Sequence, residues 1–186
     1  MPIVQQLRAR GVLPVIAVGN EGPGTSRSPG NYAESLSVGA LDQSGSVADF
    51  SSSQKFLREK DPIVPDVVAP GVGVISAIPK GGFASMDGSS MATPHIAGLA
   101  ALLFSASPGA TVDQVEDAIF KSCRLLPGMT EDRANRGAPN GPQAFAILTG
   151  TSLSTATIST PPKTKKKATK KANAKTGTKA KRRKRK

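Results

Sequence analysis

Between Met91 and Phe104 the chain reads MATPHIAGLAALLF, apolar on nearly every side of a helix turning about 100° per residue. A helix of that kind has to be covered all round, so it demands an internal position with other layers against it. Pro94 lacks an N–H and belongs in or near the first turn, where the loss does least harm. The segments before it supply a sheet. Val12–Val18 is an apolar, β-branched run that reads as a buried strand. It follows a short helical pattern over residues 2–10, with Ile3, Val4 and Leu7 on one side and Gly11 as the stop. It ends in GNEGPG, residues 19–24, which can only be a loop. Ser37–Leu41, Val67–Val68 after Pro65, and Val72–Ile78 are further strand candidates. A helix, a short turn and then a buried strand predict an α/β fold with a parallel sheet.

Ser44–Gln54 and Lys80–Ser90 are rich in Gly and Ser and read as loops. Thr111-Val112-Asp113-Gln114 is a capping-box pattern, and Val112, Val115 and Ile119 follow at helical spacing. Gly141-Pro142 opens a last short helix with Phe145, Ile147 and Leu148 facing inward.

Charge divides the chain. It carries 25 basic and 13 acidic residues, a net +12, but residues 161–186 hold 14 of the lysines and arginines and no acid. The rest of the chain is therefore close to neutral, at 11 basic against 13 acidic residues. From Pro161 onward there is no Leu, Ile, Val or aromatic residue. Such a segment cannot bury enough apolar surface to offset its ordering entropy, and it is predicted to be disordered. The division is thus residues 1–150 as one folded body and 151–186 as a Lys/Arg-rich tail. Without aromatic residues the tail offers no platform for base stacking. It reads either as a solvated low-complexity segment or as a non-specific, salt-sensitive binder of polyanions such as nucleic acid.

Several classes are excluded. No apolar stretch reaches the roughly 20 residues that a membrane span needs. The N-terminal MPIVQQLRARGVLP has no secretory apolar region with a small-residue cleavage site. One cysteine, Cys123, rules out an internal disulfide framework. The chain also has a single histidine, so a zinc site of the usual N/S kind is not expected.

Two positions draw chemical interest. Ser90, in MDGSSMATPH, stands where a glycine-containing loop enters the apolar helix. Its side chain sits at the positive end of the helix dipole, beside unpaired N–H groups suited to a developing oxyanion. The alternative is that Ser89 or Ser90 is only an N-cap, the commoner role for a serine there. The pattern is not the nucleophile elbow of α/β-hydrolases, because Ala92 occupies the position where that motif has Gly. Asn20 ends a predicted parallel strand, where α/β sheets present functional loops, and its amide could donate to a carbonyl oxygen. The alternative is that it supports a turn among glycines.

Ser90 in Gly88-Ser89-Ser90-Met91-Ala92-Thr93-Pro94-His95-Ile96-Ala97-Gly98 resembles the nucleophile motif of the subtilisin-like serine proteases, the subtilases. Val18-Gly19-Asn20-Glu21-Gly22 resembles that family's oxyanion-hole segment. Ser37–Ala40, Asp49-Phe50-Ser51-Ser52 and Pro65–Gly71 follow in the family's order, and 135–148 is similar to its closing helix. The likeness spans about residues 1–150. It implies part of the family's seven-stranded parallel sandwich. It implies Ser90 as the acyl-forming nucleophile, with its own N–H and the Asn20 amide holding the oxyanion. It implies Ala17, Val18 and Gly19 as part of the pocket for the residue before the scissile bond. Ser28-Pro29 falls where many relatives have a cis proline near that pocket. The implied substrate is a peptide or protein. Calcium is common in the family, but no loop here clusters the carboxylates that would place it, so no cofactor is assigned. Relatives are usually exported, which the sequence shows no signal for, and no location is assigned.

One part of the machinery is not in this sequence. The family's order is Asp, His, Ser, with the first two upstream of the asparagine, and here that asparagine is already residue 20. The only histidine, His95, is five residues after Ser90 on one helix. That spacing points it about 140° away and about 7.5 Å along the axis, beyond hydrogen-bond reach of the hydroxyl. The expectation is a subtilase segment that is inactive alone and poorly soluble, with the acid and base supplied by other polypeptide, such as a separate chain. Its rivals are a non-catalytic remnant and a basic-tail polyanion binder.

Overall fold

The computed structural model describes residues 2–152, and the basic tail lies outside them. Helix α1, Pro2–Ala9, leads to β1, Val15–Ala17; β2 is Leu36–Leu41 and β5 is Val67–Pro70. These three strands form one parallel sheet in the order β1-β2-β5, with Val15 opposite Leu36 and Val38 opposite Val67. Two antiparallel pairs flank it: β3 (Gln54–Lys55) with β4 (Ile63–Val64), and β6 (Val74–Ala77) with β7 (Phe83–Met86). The long helix α2, Ser89–Ala106, crosses all three parallel strands and meets α3 (Val112–Ser122) and α5 (Gly141–Thr149). A short α4, Glu131–Ala134, packs near β3 and β4. The fold is α/β, as the alternation of apolar runs and helical patterns predicts.

The core lies between the sheet and α2. Leu36, Val38, Ala40 and Val67 from the strands meet Ala92, Ile96, Ala100 and Leu103 from the helix, and Val115 and Ile119 of α3 close the far side. β2 is buried along its whole length because it is the central strand, covered on both faces. Thr111 caps α3 as its sequence predicts: its hydroxyl accepts from Gln114 N–H while the Gln114 side chain accepts from Thr111 N–H. Arg8 joins α1 to α3 through Glu116 and Asp113. Arg136 pairs with Asp61 and Asp66 and lies over the Phe120 ring at 4.0 Å.

Several sequence readings need correction. The strand read over Val12–Val18 is only Val15–Ala17 and is half-buried; Val12 is exposed. β1 has a neighbour on one side alone among the described strands, so its residues lack the cover that β2 has. Of the α1 apolar residues only Val4 is buried, while Ile3 stands outward. Lys80–Ser90 is not a loop throughout: Phe83–Met86 pairs with Val74–Ala77 as a hairpin, which also takes that strand out of the parallel sheet. Pro94 is the sixth residue of α2, beyond the first turn. Phe145 and Ile147 of α5 are exposed; Ala144 is the residue it buries. Most consequentially, α2 is not enclosed. Ser89, Ala92, Ile96, Ala100 and Leu103 form its buried stripe, while Ala97, Gly98, Ala101 and Leu102 face outward, with Leu102 71% exposed.

Candidate active site

Asn20 and Ser90 meet at the ends of two elements. Asn20 follows the C-terminal end of β1, and Ser90 is the second residue of α2. Their approach is set by Ser89. Its N–H donates to Asn20 Oδ1 at 2.8 Å and its hydroxyl donates to the same oxygen at 2.9 Å. An amide oxygen that accepts two donors fixes the plane of the group, so Nδ2 is turned the other way, toward Gly88. A side chain built on Gly88 would put its first carbon 3.4 Å from Asn20 Nδ2 and 3.7 Å from Ser90 N. The two donors therefore border one small space, which glycine keeps open. Gly88 has φ 152 and ψ 157, a region that essentially only glycine occupies.

The Ser90 N–H precedes any intrahelical acceptor, because the first four N–H groups of a helix have none. It projects outward from the positive end of an 18-residue helix. A negative oxygen placed between it and Asn20 Nδ2 would receive two hydrogen bonds and the dipole field together. The Ser90 side chain is exposed and free of hydrogen bonds among the described residues, whereas Ser89 is buried. Of the two serines, Ser89 is the structural one and Ser90 the one presented. The Pro94 ring further leaves the Ser90 carbonyl without its usual i+4 donor.

The loop that carries Asn20 is braced behind. Glu21 Oε2 accepts from Asn20 N–H at 3.0 Å, Glu21 N–H donates to Ser52 Oγ at 3.0 Å, and Arg27 pairs with Glu21 Oε1. The Arg27 guanidinium holds the Glu21 carboxyl below its ordinary range, and Glu21 raises Arg27 in turn. Gly19 runs at φ 122 against this brace, and an added carbon there would meet Glu21 Oε2 at 2.8 Å and Ser52 Oγ at 2.9 Å. Ala17 and Gly19 are half-buried. Val18 is fully buried; its carbonyl accepts from Arg27 N–H and its N–H donates to Val38 O. Ser28–Pro29 is cis.

No base accompanies the hydroxyl among the described residues. Ser90 and His95 border the same cavity of about 300 Å³, with Val74, Ile75, Met91 and Pro94, but no hydrogen bond joins them. His95 Nδ1 instead donates to Met91 O at 3.0 Å on its own helix. Asp87 accepts from Gly73 N–H at 2.7 Å and anchors the hairpin rather than an imidazole. Among the described residues no cluster of three or more His, Cys, Asp or Glu could hold a metal. Sequence reasoning singled out Ser90 and Asn20, but it missed Ser89 as the residue that orients the amide. Ser89 lies 69 residues from Asn20, and nothing local marks the pairing.

The chain is similar to known proteins in sequence and in fold. Residues 2–141 match the family model described as the subtilase family, Peptidase_S8. Alkaline elastase YaB of Bacillus sp. (strain YaB) is 41% identical over 128 residues, which are 69% of this chain and 32% of that protein. Subtilisin Savinase of Lederbergia lenta is 42% identical over 123 residues, 66% of this chain and 43% of that protein. The solved structure of the prenylagaramide maturation protease PagA superposes with a TM-score of 0.70 at 30% identity, over 81% of this chain and 55% of that one. The chain thus spans between about a third and a little over half of these three proteins.

Proposed function

Because the chain belongs to the subtilase family, we propose that it is the nucleophile-bearing part of a serine-type endopeptidase acting on peptide or protein substrates. Ser90 Oγ attacks the scissile carbonyl. The carbonyl oxygen, negative in the tetrahedral intermediate, sits between Ser90 N–H and Asn20 Nδ2. Ser89 keeps the Asn20 amide in the donating orientation, and the backbone of Ala17–Gly19 borders the residue before the scissile bond. The observation that carries the reading is the convergence of the two donors on the space above Gly88.

The hydroxyl is unarmed. A serine is a weak nucleophile until a base takes its proton, and no described imidazole is in reach. In subtilisin, the reference case for this effect rather than this chain, loss of the histidine alone costs about as much as loss of the whole triad. The acid and base therefore come from additional polypeptide, and the chain alone is inactive. Incubation of the purified chain with a fluorophosphonate probe tests this: no labelling is expected, and adduct formation at Ser90 would overturn it.

The basic run 161–186 lies outside the described residues, and its 14 positive charges support a second, separable role in contacting polyanions. Binding to duplex DNA should fall steeply with salt and vanish when 161–186 is deleted. Binding that survives the deletion would place the contact elsewhere. No described helix is long and apolar enough to cross a membrane.

A further inference from the structure

The segment Arg133-Ala134-Asn135-Arg136-Gly137, which ends α4 and follows it, turns every polar side chain it has onto residues 48–66. Arg136 goes to Asp61 and Asp66, and Asn135 Nδ2 donates to Ile63 O at 3.0 Å. Asn135 adopts φ 49 and ψ −107, a backbone region that a residue with a side chain rarely enters. Such strain persists only where the surroundings over-determine it. Arg133 is the unusual member of this clasp. Its Nη1 donates to Ser51 O and to Ser53 Oγ, both at 2.8 Å, and its Nη2 donates to Ala48 O at 3.0 Å. No carboxylate is among its hydrogen-bond partners. Burial lowers its pKa below the ordinary arginine value, with only the Asp49 charge opposing. A half-buried guanidinium satisfied by neutral oxygens loses solvation and gains no ion pair. What it contributes is geometry, because its donors lie in one rigid fork.

That fork fixes the turn over residues 48–53. Ala40 N–H of β2 donates to Ser51 Oγ at 3.0 Å, so the turn is held to the sheet on one side and to Arg133 on another. Its remaining groups grip the loop that carries Asn20. Ser52 N–H donates to Gly19 O at 3.1 Å, Gly22 N–H to Phe50 O at 2.9 Å and Gly24 N–H to Ser53 O at 2.7 Å. Glu21 N–H donates to Ser52 Oγ at 3.0 Å, and the Thr25 hydroxyl lies 2.9 Å from the same oxygen. Ser51, Ser52 and Ser53 are buried. Ser53 serves both partners at once: its hydroxyl accepts from Arg133 and its carbonyl from Gly24. Asn20 itself makes no hydrogen bond to the turn among the described residues. Ser89 sets the plane of its amide, while its place along the loop is inherited from Gly19 and Glu21 on either side.

We propose that Arg133 is a positioning residue for the oxyanion site, acting on Asn20 through the Ser51–Ser53 turn. The fork holds four backbone and side-chain oxygens of the turn in one arrangement, and the turn then sets how far Asn20 Nδ2 stands from Ser90 N–H. This rests on the peptidase reading for what Asn20 does, but not for what holds it in place.

NMR of the full, isotope-labelled chain tests this through amide exchange and the side-chain NH2 resonances of Asn20. Arg133→Lys keeps the positive charge and loses the fork. It should shift the Asn20 Nδ2 resonances and speed exchange at Glu21, Gly22 and Gly24 about tenfold, with Val115 N–H of α3 changing less than about twofold. Ser53→Ala leaves Arg133 its carbonyl acceptors and should shift the same resonances in the same direction by less. Methylguanidinium at millimolar concentration should restore the Asn20 resonances in Arg133→Ala, and methylammonium should not. Asn20 resonances that stay unmoved in both Arg133→Lys and Ser53→Ala overturn the proposal. So does exchange that rises equally at Val115, since Arg133 then supports the fold alone. Equal rescue by methylammonium would assign the effect to charge and overturn the role of the fork. Should Arg133→Lys fail to fold, Ser53→Ala decides by the same criterion. The readout is the loop and not turnover, so its failure removes the role of Arg133 and leaves the peptidase reading to its own labelling test.

Discussion

Asp66 offers a prediction with a magnitude worked from the fold. It sits directly before β5, 3% exposed, where its carboxylate accepts from Ser37 N–H at 2.7 Å and lies 3.2 Å from Arg136. Burial pushes its pKa from 3.8 up to about 7, outweighing the Ser37 N–H and the Arg136 charge; Asp61 and Glu116 push the same way as burial. The sign follows from linkage. The folded chain binds the Asp66 proton more tightly than the unfolded chain does, so this group's contribution to stability is greatest below about pH 4 and is lost as pH rises to about 7. At about 1.4 kcal/mol per unit of displacement, the loss is on the order of 4 kcal/mol across that window. Asp66→Asn keeps an oxygen for Ser37 N–H and cannot ionise. Urea unfolding of both proteins from pH 4 to 8 separates the Asp66 contribution from that of the other carboxylates. The wild type should lose stability relative to Asp66→Asn as pH rises, steeply between 4.5 and 7. A constant difference, or a wild type that gains on the variant over that range, would show that Arg136 rather than burial governs the group.

Other consequences are simpler to read. Gly88→Ala puts a side chain both into a backbone region that essentially only glycine occupies and into the space between the two donors; it should cost about 1–3 kcal/mol of stability, read as a lowered urea midpoint. Thr111→Ala removes the reciprocal cap of α3 and should lower stability by about 1 kcal/mol, seen as a shifted urea midpoint with unchanged slope. Cys123 has its thiol pushed up to about 12 by burial, so alkylation of the folded chain by iodoacetamide at pH 8 should be far slower than in urea; equal rates would contradict its packing.

The sequence made the chemistry legible where local rules act. Thr111 and Gln114 sit three apart and announce a cap. The glycine-flanked Ser89-Ser90 before an apolar run announces a helix N-terminus. The alternation of apolar runs announces a parallel sheet. What it hid were relations across the chain. Periodicity shows that α2 is apolar all round but not which side finds a partner, so it predicts a buried helix where the structure leaves one face open. The same blindness extended β1 to Val12, since an apolar run looks alike whether its neighbours are present or not. Phe83–Met86 was masked by glycines and serines, because a hairpin strand this exposed, with Phe83 77% accessible, carries no apolar signature. The orientation of Asn20 depends on Ser89, and a hydrogen bond between residues 69 apart leaves no mark in either neighbourhood.

In the proposed reading Ser90 N–H and Asn20 Nδ2 stand ready as oxyanion donors, and no base reaches the Ser90 hydroxyl among the described residues. Steady-state hydrolysis of a chromogenic peptide anilide, run in parallel on the purified chain and its Ser90→Ala variant, tests this most directly. The two should turn over at the same background rate; hydrolysis by the unaltered chain that disappears with the Ser90 hydroxyl would contradict it.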